Sequence, residues 1–588
     1  MVLVEKPAFI GQFGSGNYLL EHSGSQSYTI PGVLTLYFWG QIHNAAMLGL
    51  QNSVTVARAL AYLFMEKGLE GLSRVDGRFM CLVETQDTLC IVRDTYGAGP
   101  QVYYTSTHFS SSLLPLSRLP DFKGQPDRAA LATFLTRGCI ATPRSAFEGV
   151  SKLGAGCCLE FKEGRFRIIH PMNQQKIVSS NSEKEIMEQY EHLHAEAIRR
   201  RIEGCTNVGI LLSGGYDSGC NLLALRRQYA GDIHSFSIGF KGDKWSELPL
   251  AQCMSDTFST IHHTYEIDGS EIAQLPDIVR ELGDPFVEGG LMVNYAVMKM
   301  AAGHQQDVLL GGDGNDQLFG TTGREIALAL LLRRSGMYPF VSVLNRMLNR
   351  EVFDKNTSIY KIKFHTDKVL NLLEGDLFGF PDFKVVQLLQ DPGWYRKDKE
   401  VKLDGRSFET AFFQHAQLAD LNKTIEQVIL FKASKLADMF GQNLVYPYLD
   451  LEIKSFLDGI PLSYRLKGEG LFSLAKGKGE SKSLLKRCYK SYLPEAITNK
   501  KKQGGFAPMP LFFSDAHRFE QARSTILDSA VCRDFLHRSH VESFLNRYVQ
   551  EAKTEGGWFW YSQNRAIQLF NLYALAIWWN EYIDHVTE

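Results

Sequence analysis

The chain has 588 residues, of which 44% are hydrophobic and 22% are charged. Because domains usually span about 100–200 residues, we expect at least two domains, and the composition excludes a disordered or fibrous chain. The 63 basic residues nearly balance the 65 acidic residues, for a net charge of −2, so no overall field favours nucleic acid or an anionic membrane as a partner.

The sequence shows neither the pattern of a signal peptide nor that of a membrane-spanning helix. The N-terminus carries no basic region followed by an apolar run of signal-peptide length, and no segment approaches about 18 uninterrupted apolar residues. This predicts a cytoplasmic protein. The ten cysteines have neither CxxC pairs nor a His/Cys ligand spacing, which favours reduced, buried thiols over disulfides, a structural zinc or a redox site.

The first 160 residues or so alternate short apolar runs with turn residues, for example VLTLYFWG, FMCLVET and TLCIVRD. This pattern predicts strands and turns of an α+β or all-β region. Residues 170–185 are polar and unpatterned, and a segment with helical spacing of its apolar residues follows. We therefore predict two domains, 1–180 and 181–588.

A βαβ pattern opens the second domain. The apolar run VGILL precedes the glycine-rich turn SGGYDS and an apolar helix, and a second run, IHSFSIGF, comes about two dozen residues later. A third run, DVLLGG, also ends in glycines and acids, as expected where ligands bind at the carboxyl ends of parallel strands. Beyond residue 325 the pattern is mainly helical, and the glycines and lysines of LKGEGLFSLAKGKGESKS indicate a mobile surface loop.

The turn after the first of these strands has the residues of a phosphate site. Gly214 and Gly215 let backbone N–H groups approach a phosphate at a helix N-terminus. Ser213 and Ser218 can add hydroxyl donors, and Asp217 is an acid that a phosphate alone would not favour, which indicates a bridging Mg²⁺. A tight turn with an N-cap serine is the alternative, although strand, loop, acid and helix in this order disfavour it.

The segment 310–316, LGGDGND, follows the third strand with three glycines and two acids. Asp316 can complete a metal shell with Asp217, since Mg²⁺ is usually held by one or two carboxylates with phosphate oxygens and water. Asp-Gly-Asn is also common turn chemistry, so a solvated turn stays open for this segment taken alone.

SGGYDS with GGDGNDQLFG resembles the pyrophosphatase loop and the downstream acidic loop of the asparagine synthetase family. SFSIGF followed by Glu247, YPYLD, and LLKRCYKSYLPEAITNKKKQGGFAP are similar to further segments of that family in the family's order, and FWGQIHN, VDGRFMCLV and RDTYGAGPQVYYT resemble its glutaminase domain. The resemblance implies an α+β N-terminal Ntn-hydrolase-like αββα sandwich. It also implies a following α/β adenine-nucleotide α-hydrolase-like (PP-loop ATP pyrophosphatase) domain with a helical C-terminal part.

The resemblance further implies that ATP activates a substrate carboxylate as an acyl-adenylate, and that an amine then displaces AMP to form an amide. ATP and Mg²⁺ are the implied cofactors. The implied nucleotide-binding residues are Leu211, Ser213, Gly214, Gly215, Asp217, Ser218, Ile238, Gly311 and Gly312, and the implied metal ligands are Asp217 and Asp316. The implied catalytic residues are Lys502, with Lys501 as the alternative register, and Asp313. A solvated basic loop is the alternative for the lysine run.

Asp313 stands where asparagine synthetases carry a glutamate and β-lactam synthetases a tyrosine, and a carboxylate there could orient or deprotonate the amine. The rest of the substrate pocket does not align. Its candidates are His262, His263, Asp284, Glu288 and Tyr295, with ordinary surface or core roles as the alternative.

The glutaminase-like half departs from its family at two functional positions. Position two is Val2, where the family's glutaminases expose a nucleophilic cysteine whose own amine serves as base. Trp39 replaces the asparagine that donates to the oxyanion, and the first cysteine of the chain is Cys81. We therefore expect no glutamine hydrolysis, as in β-lactam synthetases and lasso-peptide macrolactam cyclases.

Three functions follow from these observations, and the first is favoured. It is an amide synthetase that forms a lactam or macrolactam from a small-molecule or peptide carboxylate, with a precursor peptide or partner protein expected if the substrate is a peptide. The second is an asparagine synthetase that uses free ammonia. Asp313 and the KQGGFAP segment favour it, whereas Val2 and Asn443, at a position where the family usually has a glutamate, disfavour it. The third is a catalytically silent nucleotide-binding scaffold. We expect no nucleic-acid or membrane partner.

Overall fold

A computed structural model describes residues 8–13, 19–50, 55–170, 182–242, 246–374, 379–396, 401–499, 507–552 and 557–584. The strands are β1 (Ala8–Gln12), β2 (Leu19–Ser23), β3 (Gln26–Ile30), β4 (Leu34–Ile42), β5 (Gly77–Thr85), β6 (Thr88–Arg93), β7 (Tyr103–Tyr104), β8 (His108–Ser110), β9 (Ser151–Lys152), β10 (Cys158–Lys162), β11 (Arg165–Ile169), β12 (Val208–Leu211), β13 (Ile233–Phe240), β14 (Ile261–Ile267), β15 (Val308–Leu310), β16 (Leu444–Val445), β17 (Leu466–Lys467) and β18 (Glu480–Ser481).

The helices are α1 (Val56–Ser73), α2 (Leu113–Ser117), α3 (Arg128–Arg137), α4 (Glu183–Ile202), α5 (Tyr216–Arg226), α6 (Leu248–Phe258), α7 (Leu275–Leu282), α8 (Leu291–Ala302), α9 (Asn315–Phe319), α10 (Arg324–Arg334), α11 (Tyr338–Leu348), α12 (Ser358–Leu370), α13 (Asp382–Leu388), α14 (Phe408–His415), α15 (Phe431–Met439), α16 (Leu451–Gly459), α17 (Leu462–Arg465), α18 (Gly470–Ala475), α19 (Ser483–Tyr489), α20 (Glu495–Thr498), α21 (Ala516–Asp528), α22 (Val531–Asp534), α23 (Arg538–Ala552) and α24 (Phe559–Trp579). A π-helix, Ala416–Leu430, joins α14 to α15.

The N-terminal part is a sandwich of two antiparallel sheets, with strand orders β2-β1-β8-β7-β9 and β11-β10-β6-β5-β4-β3. Phe9 and Phe109 from the first sheet pack against Trp39, Met80 and Ile91 from the second, so the apolar faces of the two sheets bury each other. Helix α1 packs on β3 and β4 of the larger sheet, and α2 packs on β8 of the smaller one. The predicted αββα sandwich is confirmed.

The second part is built on a parallel sheet of order β14-β13-β12-β15-β16. Val208, Ile210 and Leu310 face the layer that contains α4 and α5. Phe236 and Leu309 face the opposite layer, which contains α7 and α8. Because consecutive strand residues point to opposite faces, a sheet covered on both sides needs the nearly continuous apolar runs that the sequence has. The predicted α/β domain is confirmed.

The rest of the chain is mainly helical, as predicted, and α24 is buried along most of its length. One feature differs from the sequence prediction: the run LKGEGLFSLAKGKGESKS forms the β17–β18 hairpin around α18. No single described helix is long and apolar enough to cross a membrane, although Asn315–Arg334 and Tyr338–Leu348 together meet that length and composition test across a 114° bend.

The predicted domain boundary at residue 180 lies within 171–181, outside the described residues, between the end of β11 and the start of α4. Near the end of α4, ion pairs join the two parts of the chain. Arg201 of α4 binds Asp76 at 3.0 Å and Asp450 at 2.9 Å, and Arg200 binds Asp450 at 2.8 Å. Burial opposes the ionisation of Asp450, but Arg201 and Arg200 outweigh it and lower the pKa of Asp450 to about 2.

We expect Arg201→Ala to lower the free energy of unfolding by about 3–5 kcal/mol, because it leaves buried carboxylates without their shared cation. Arg199→Ala is the matched control on the same helix, since Arg199 is exposed and pairs with Glu196 at 2.9 Å, a contact worth at most about 1 kcal/mol. Urea unfolding of the full chain measures both variants. Equal shifts for both would contradict a stabilising junction.

Candidate active site

The turn between β12 and α5 has the shape of an anion cradle. Gly214 has a φ of +68°, and a Cβ on it would lie 2.8 Å from the Cβ of Leu250, so a larger residue does not fit. Gly215 is the N-cap of α5, and no side chain of the described residues caps that helix there. The first-turn N–H groups and the positive end of the helix dipole therefore remain available to a phosphate.

The two serine hydroxyls of this turn lie together at the start of α5. Ser213 Oγ and Ser218 Oγ are 3.2 Å apart, the N–H of Ser213 donates to Ser218 Oγ at 3.3 Å, and the N–H of Gly215 donates to Ser213 Oγ at 3.3 Å. These distances are at the long end for hydrogen bonds. Both hydroxyls are thus weakly held and can turn to phosphate oxygens.

The two acids predicted to hold a metal converge on one ammonium group. Lys482 Nζ lies 2.5 Å from Oδ2 of Asp217 and 2.8 Å from Oδ1 of Asp316. Asn315 donates to the other carboxylate oxygen of Asp217 at 2.7 Å. Because one cation reaches both carboxylates, this pair fits a shared Mg²⁺, whose preferred ligands are carboxylate, phosphate and water oxygens.

Lys482 is a site residue that the sequence analysis missed. It precedes α19 directly, has a φ of +59° and is nearly fully buried. Burial opposes its charge, but Asp217 and Asp316 outweigh this and raise the pKa of Lys482. A lysine in the left-handed region costs about 1–2 kcal/mol relative to ordinary backbone, and such strain is typical of functional positions.

The sequence signal for this lysine was weak, because it stands at the end of a run whose glycines and lysines predict a mobile loop. The predicted catalytic lysine, Lys502, and its alternative, Lys501, lie outside the described residues. Their catalytic role stays a prediction.

A buried network fixes the acid-bearing loops in position. Tyr448 donates its hydroxyl to the backbone carbonyl of Asp217 at 2.8 Å and stacks on the ring of His194. His194 Nε2 lies 2.8 Å from Oδ1 of Asn221, and Asn221 Nδ2 donates to the carbonyl of Gly311 at 3.2 Å. Helix α5 is thereby tied to both the 447–449 turn and the end of β15.

The remaining predicted nucleotide-binding residues lie on the same sheet edge. Leu211 ends β12, Ile238 lies in the carboxyl-terminal half of β13, and Gly311 and Gly312 follow β15. A Cβ on Gly312 would lie 3.7 Å from the backbone nitrogen of Ser218. The two glycine-rich loops therefore meet, as expected for ligand binding at the carboxyl ends of parallel strands.

Asp313 lies next to a second acid and a second lysine. Glu288 and Lys432 form a short ion pair, and Glu288 also accepts from the N–H of Gly290 at 2.8 Å. Burial raises the pKa of Asp313, Lys432 opposes the rise, and Glu288 and Asp316 add to it. Asp313 is a carboxyl group with a raised pKa beside the two glycine-rich loops, and such a group is suited to accept a proton from an amine as a general base.

We expect Asp313→Asn to lower the rate of amide formation by about a hundredfold or more, which is the usual contribution of a general base. The same change should raise the melting temperature at neutral pH. The pKa of Asp313 is higher in the folded chain than in the unfolded chain. Ionisation of Asp313 therefore destabilises the fold once the pH exceeds the ordinary pKa of an aspartate. Asparagine cannot ionise, so it removes this destabilisation. Product formation and thermal unfolding at pH 7 measure the two effects. A lower melting temperature with unchanged activity would contradict both assignments.

Other candidates for the substrate pocket lie elsewhere. Asp284 binds Lys152 across the junction of the two parts at 2.7 Å, and the hydroxyl of Tyr295 donates to Gln274 at 3.2 Å. Asn443 precedes β16 at its amino end and donates to the carbonyl of Asp307 at 2.9 Å. These contacts are structural, and a role of Asp284 and Tyr295 in the substrate pocket stays a prediction.

A cavity of about 480 Å³ lies between the sandwich and the second part of the chain. It is lined on one side by residues that include Phe9, Ser23 and Gly99, and on the other by residues that include Ser434 and Asp438. Its lining includes no residue of 211–218 or 310–316. The cavity is thus separate from the acid-bearing loops.

Trp39 takes up space inside the sandwich. Its side chain is fully buried, its Nε1 donates to the carbonyl of Ser23 at 2.9 Å, and its ring lies 5.0 Å from that of Phe9. An indole in this position is an apolar core residue whose N–H is already used. Val2 lies outside the described residues.

Comparison with known proteins agrees with this geometry. The profile of the asparagine synthase family matches residues 189–579, and that of a glutamine amidotransferase domain matches residues 23–172. The chain belongs to the asparagine synthase family. Membership makes it an ATP-dependent ligase that forms carbon–nitrogen bonds. The amidotransferase match covers the sandwich and the synthase match covers the part built on the parallel sheet.

Several curated relatives are named asparagine synthetase (glutamine-hydrolyzing). A putative one from Mycobacterium bovis is 22% identical, over 78% of this chain and 71% of its own length. A putative one from Methanocaldococcus jannaschii is 26% identical, over 45% of this chain and 53% of its own length. Asparagine synthetase 1 of Bacillus subtilis is 22% identical, over 84% of this chain and 77% of its own length.

Proposed function

We propose that this chain uses ATP to adenylate a substrate carboxylate and then couples the acyl group to an amine without hydrolysing glutamine, forming a lactam or macrolactam in a specialised biosynthesis. The convergence of Asp217, Asp316 and Lys482 beside the glycine-rich turn supports the adenylation half of this proposal. A small-molecule or peptide carboxylate is the proposed substrate, and the use of ATP fits the expected cytoplasmic location.

In the first step, an oxygen of the substrate carboxylate attacks the α-phosphorus of ATP, and the bond from that phosphorus to the β-phosphate oxygen breaks. Pyrophosphate leaves with negative charge growing on its oxygens. The N–H groups of the first turn of α5, which no side-chain cap occupies, are preorganised donors for that charge, and the hydroxyls of Ser213 and Ser218 can turn to join them. Asp217 and Asp316 would hold Mg²⁺, which lowers the charge on the leaving group.

Lys482 has a separate role in this proposal. Its ammonium group stays protonated because its pKa is raised, and it is held at the acid pair by two ion pairs. A fixed positive charge at that position stabilises the charge that develops on the phosphates and on the acyl-adenylate. The lysine therefore also keeps the two carboxylates together.

In the second step, the amine nitrogen attacks the acyl carbon, the bond from that carbon to the bridging oxygen of the mixed anhydride breaks, and AMP leaves with that oxygen. The proton lost from the nitrogen goes to the carboxylate of Asp313, whose raised pKa suits it to accept a proton. Glu288 and Lys432 orient the nucleophile from the neighbouring side. An amine that belongs to the substrate itself makes the product a ring.

Independence from glutamine is supported by the packing of Trp39. In the asparagine synthase family the residue at this position donates to an oxyanion, whereas this indole N–H is bound to Ser23 inside the sandwich core. The test is the release of glutamate when the purified protein is incubated with glutamine and Mg-ATP. We expect the rate to equal that of a protein-free blank, and glutamate formation that depends on the protein would overturn this part of the proposal.

The names of the relatives, asparagine synthetase (glutamine-hydrolyzing), favour aspartate as the carboxylate of a second function, and the buried Trp39 favours free ammonia over glutamine as its nitrogen source. In that function free ammonia is the amine and aspartate the carboxylate. Formation of asparagine from aspartate, ammonium and Mg-ATP would establish it. Its absence, with pyrophosphate released on addition of a precursor peptide or extract, would favour the lactam synthetase.

A further inference from the structure

Three histidines from separate segments meet at the amino edge of the parallel sheet, away from the helix starts that hold Asp217 and Asp316 at its carboxyl edge. His234 lies in β13, His263 in β14, and His304 just after α8. One potential ligand atom from each ring lies within 4.8 Å of the other two. All three side chains are half-buried, so an ion can reach them from solvent.

The sheet register explains why the rings meet. His263 is paired with Phe236, and His234 stands two residues before Phe236 on the same strand, so all three side chains point to the same face. Helix α8 packs on β13 and β14 on that face and ends at Ala302, which delivers His304. The ring centroids of His263 and His304 are 3.8 Å apart, and His234 Nδ1 lies 2.9 Å from His263 Nε2.

We propose that His234, His263 and His304 bind one divalent transition-metal ion, with Zn²⁺ the best fit. Imidazole nitrogen is a ligand for zinc, copper, nickel and iron rather than for magnesium. Three histidines with a water in the fourth position form a common tetrahedral zinc shell. In a tetrahedral shell, Zn–N bonds of about 2.0–2.1 Å place the ligand nitrogens about 3.3 Å apart. The candidate nitrogens of the three rings lie within 4.8 Å of one another, so small rotations of the rings bring them to that separation.

The surroundings favour a cation at this position. The C-terminal end of α8 carries the negative end of its helix dipole, and His304 follows it by two residues. The ion would connect β13 to β14 and to the end of α8. Strand β13 also carries Ile238, one of the predicted nucleotide-binding residues.

The test uses the full-length protein, treated with a chelator and then exchanged into buffer with excess Mg²⁺, so that the acid pair does not compete for zinc. We expect one Zn²⁺ per chain by mass spectrometry of the metal content, and a rise in melting temperature on adding Zn²⁺. His263→Ala and His304→Ala should lose both. His262→Ala is the matched control, because His262 points to the other face, where its Nδ1 lies 2.8 Å from Ser235 Oγ, and it should keep both.

A second readout does not depend on folding of the variants. Co²⁺ added to the wild-type protein should give the intense visible absorption of a tetrahedral site, and Zn²⁺ should remove it. Wild-type zinc content no higher than that of His304→Ala, or wild-type protein without the Co²⁺ band, would overturn the proposal and leave the three rings as a hydrogen-bonded stack. Pyrophosphate release is not part of this test, so failure here leaves the proposed function untouched.

Discussion

Asp217→Asn is expected to lower pyrophosphate release from Mg-ATP by about a thousandfold, the scale of losing a preorganised charge at a phosphate-transfer site. The substitution keeps the size of the side chain and an oxygen that can accept from Asn315. The Tyr448 hydroxyl bonds to the backbone carbonyl at this position, so that contact is also kept. The change is thus confined to the negative charge that would hold Mg²⁺ and bind Lys482.

Asp256→Asn is the matched control for this prediction. Asp256 lies on α6, next to the glycine-rich turn in the fold, but its carboxylate accepts from Gln252 at 2.8 Å on the exposed side of that helix. We expect this variant to release pyrophosphate at the wild-type rate. Wild-type activity in Asp217→Asn would contradict the assignment of the metal ligands, and unchanged binding of Mg-ATP by that variant would favour the scaffold function.

Lys482→Gly is expected to lower the adenylation rate by at least about a hundredfold, because it removes the ammonium group between the two carboxylates. Glycine suits this position, since its φ of +59° is in the left-handed region. The variant therefore removes the charge without adding backbone strain, and Lys482→Arg should recover part of the activity. Exchange of labelled pyrophosphate into ATP in the presence of substrate measures this step.

Lys486→Ala is the control for the lysine, because Lys486 lies one turn further on α19 and pairs with Glu480 at 3.2 Å on the surface. It should keep wild-type activity. Lys501→Ala and Lys502→Ala belong in the same experiment. A larger loss in either of these than in Lys482→Gly would assign the main catalytic charge to the 501–502 lysines.

The sequence predicted those parts of the site that lie in one continuous segment with a distinctive composition. Gly214 stands in a short turn between an apolar strand and a helix, and Asp217 and Asp316 lie in the first turns of α5 and α9; such segments can be predicted because strand, turn and helix must follow one another there. The same reasoning predicted the parallel sheet, since runs such as VGILL are too apolar for a strand with one exposed face.

The sequence did not predict contacts made by residues far apart in the chain. Lys482 stands 265 residues after Asp217, in a segment whose glycines predict a mobile loop. The Glu288–Lys432 pair likewise joins segments 144 residues apart. The three clustered histidines have no ligand spacing in the sequence, because β13, β14 and the end of α8 bring them together only when the sheet forms.

The most direct test of the account is pyrophosphate release from Mg-ATP by the purified protein, compared across three conditions: glutamine, aspartate with ammonium, and a precursor peptide or extract that contains the substrate. We expect release with the peptide or extract, none with glutamine alone, and loss of the signal in Asp217→Asn. Absence of release in all three conditions would contradict an adenylating enzyme, and release that requires glutamine would contradict independence from glutamine.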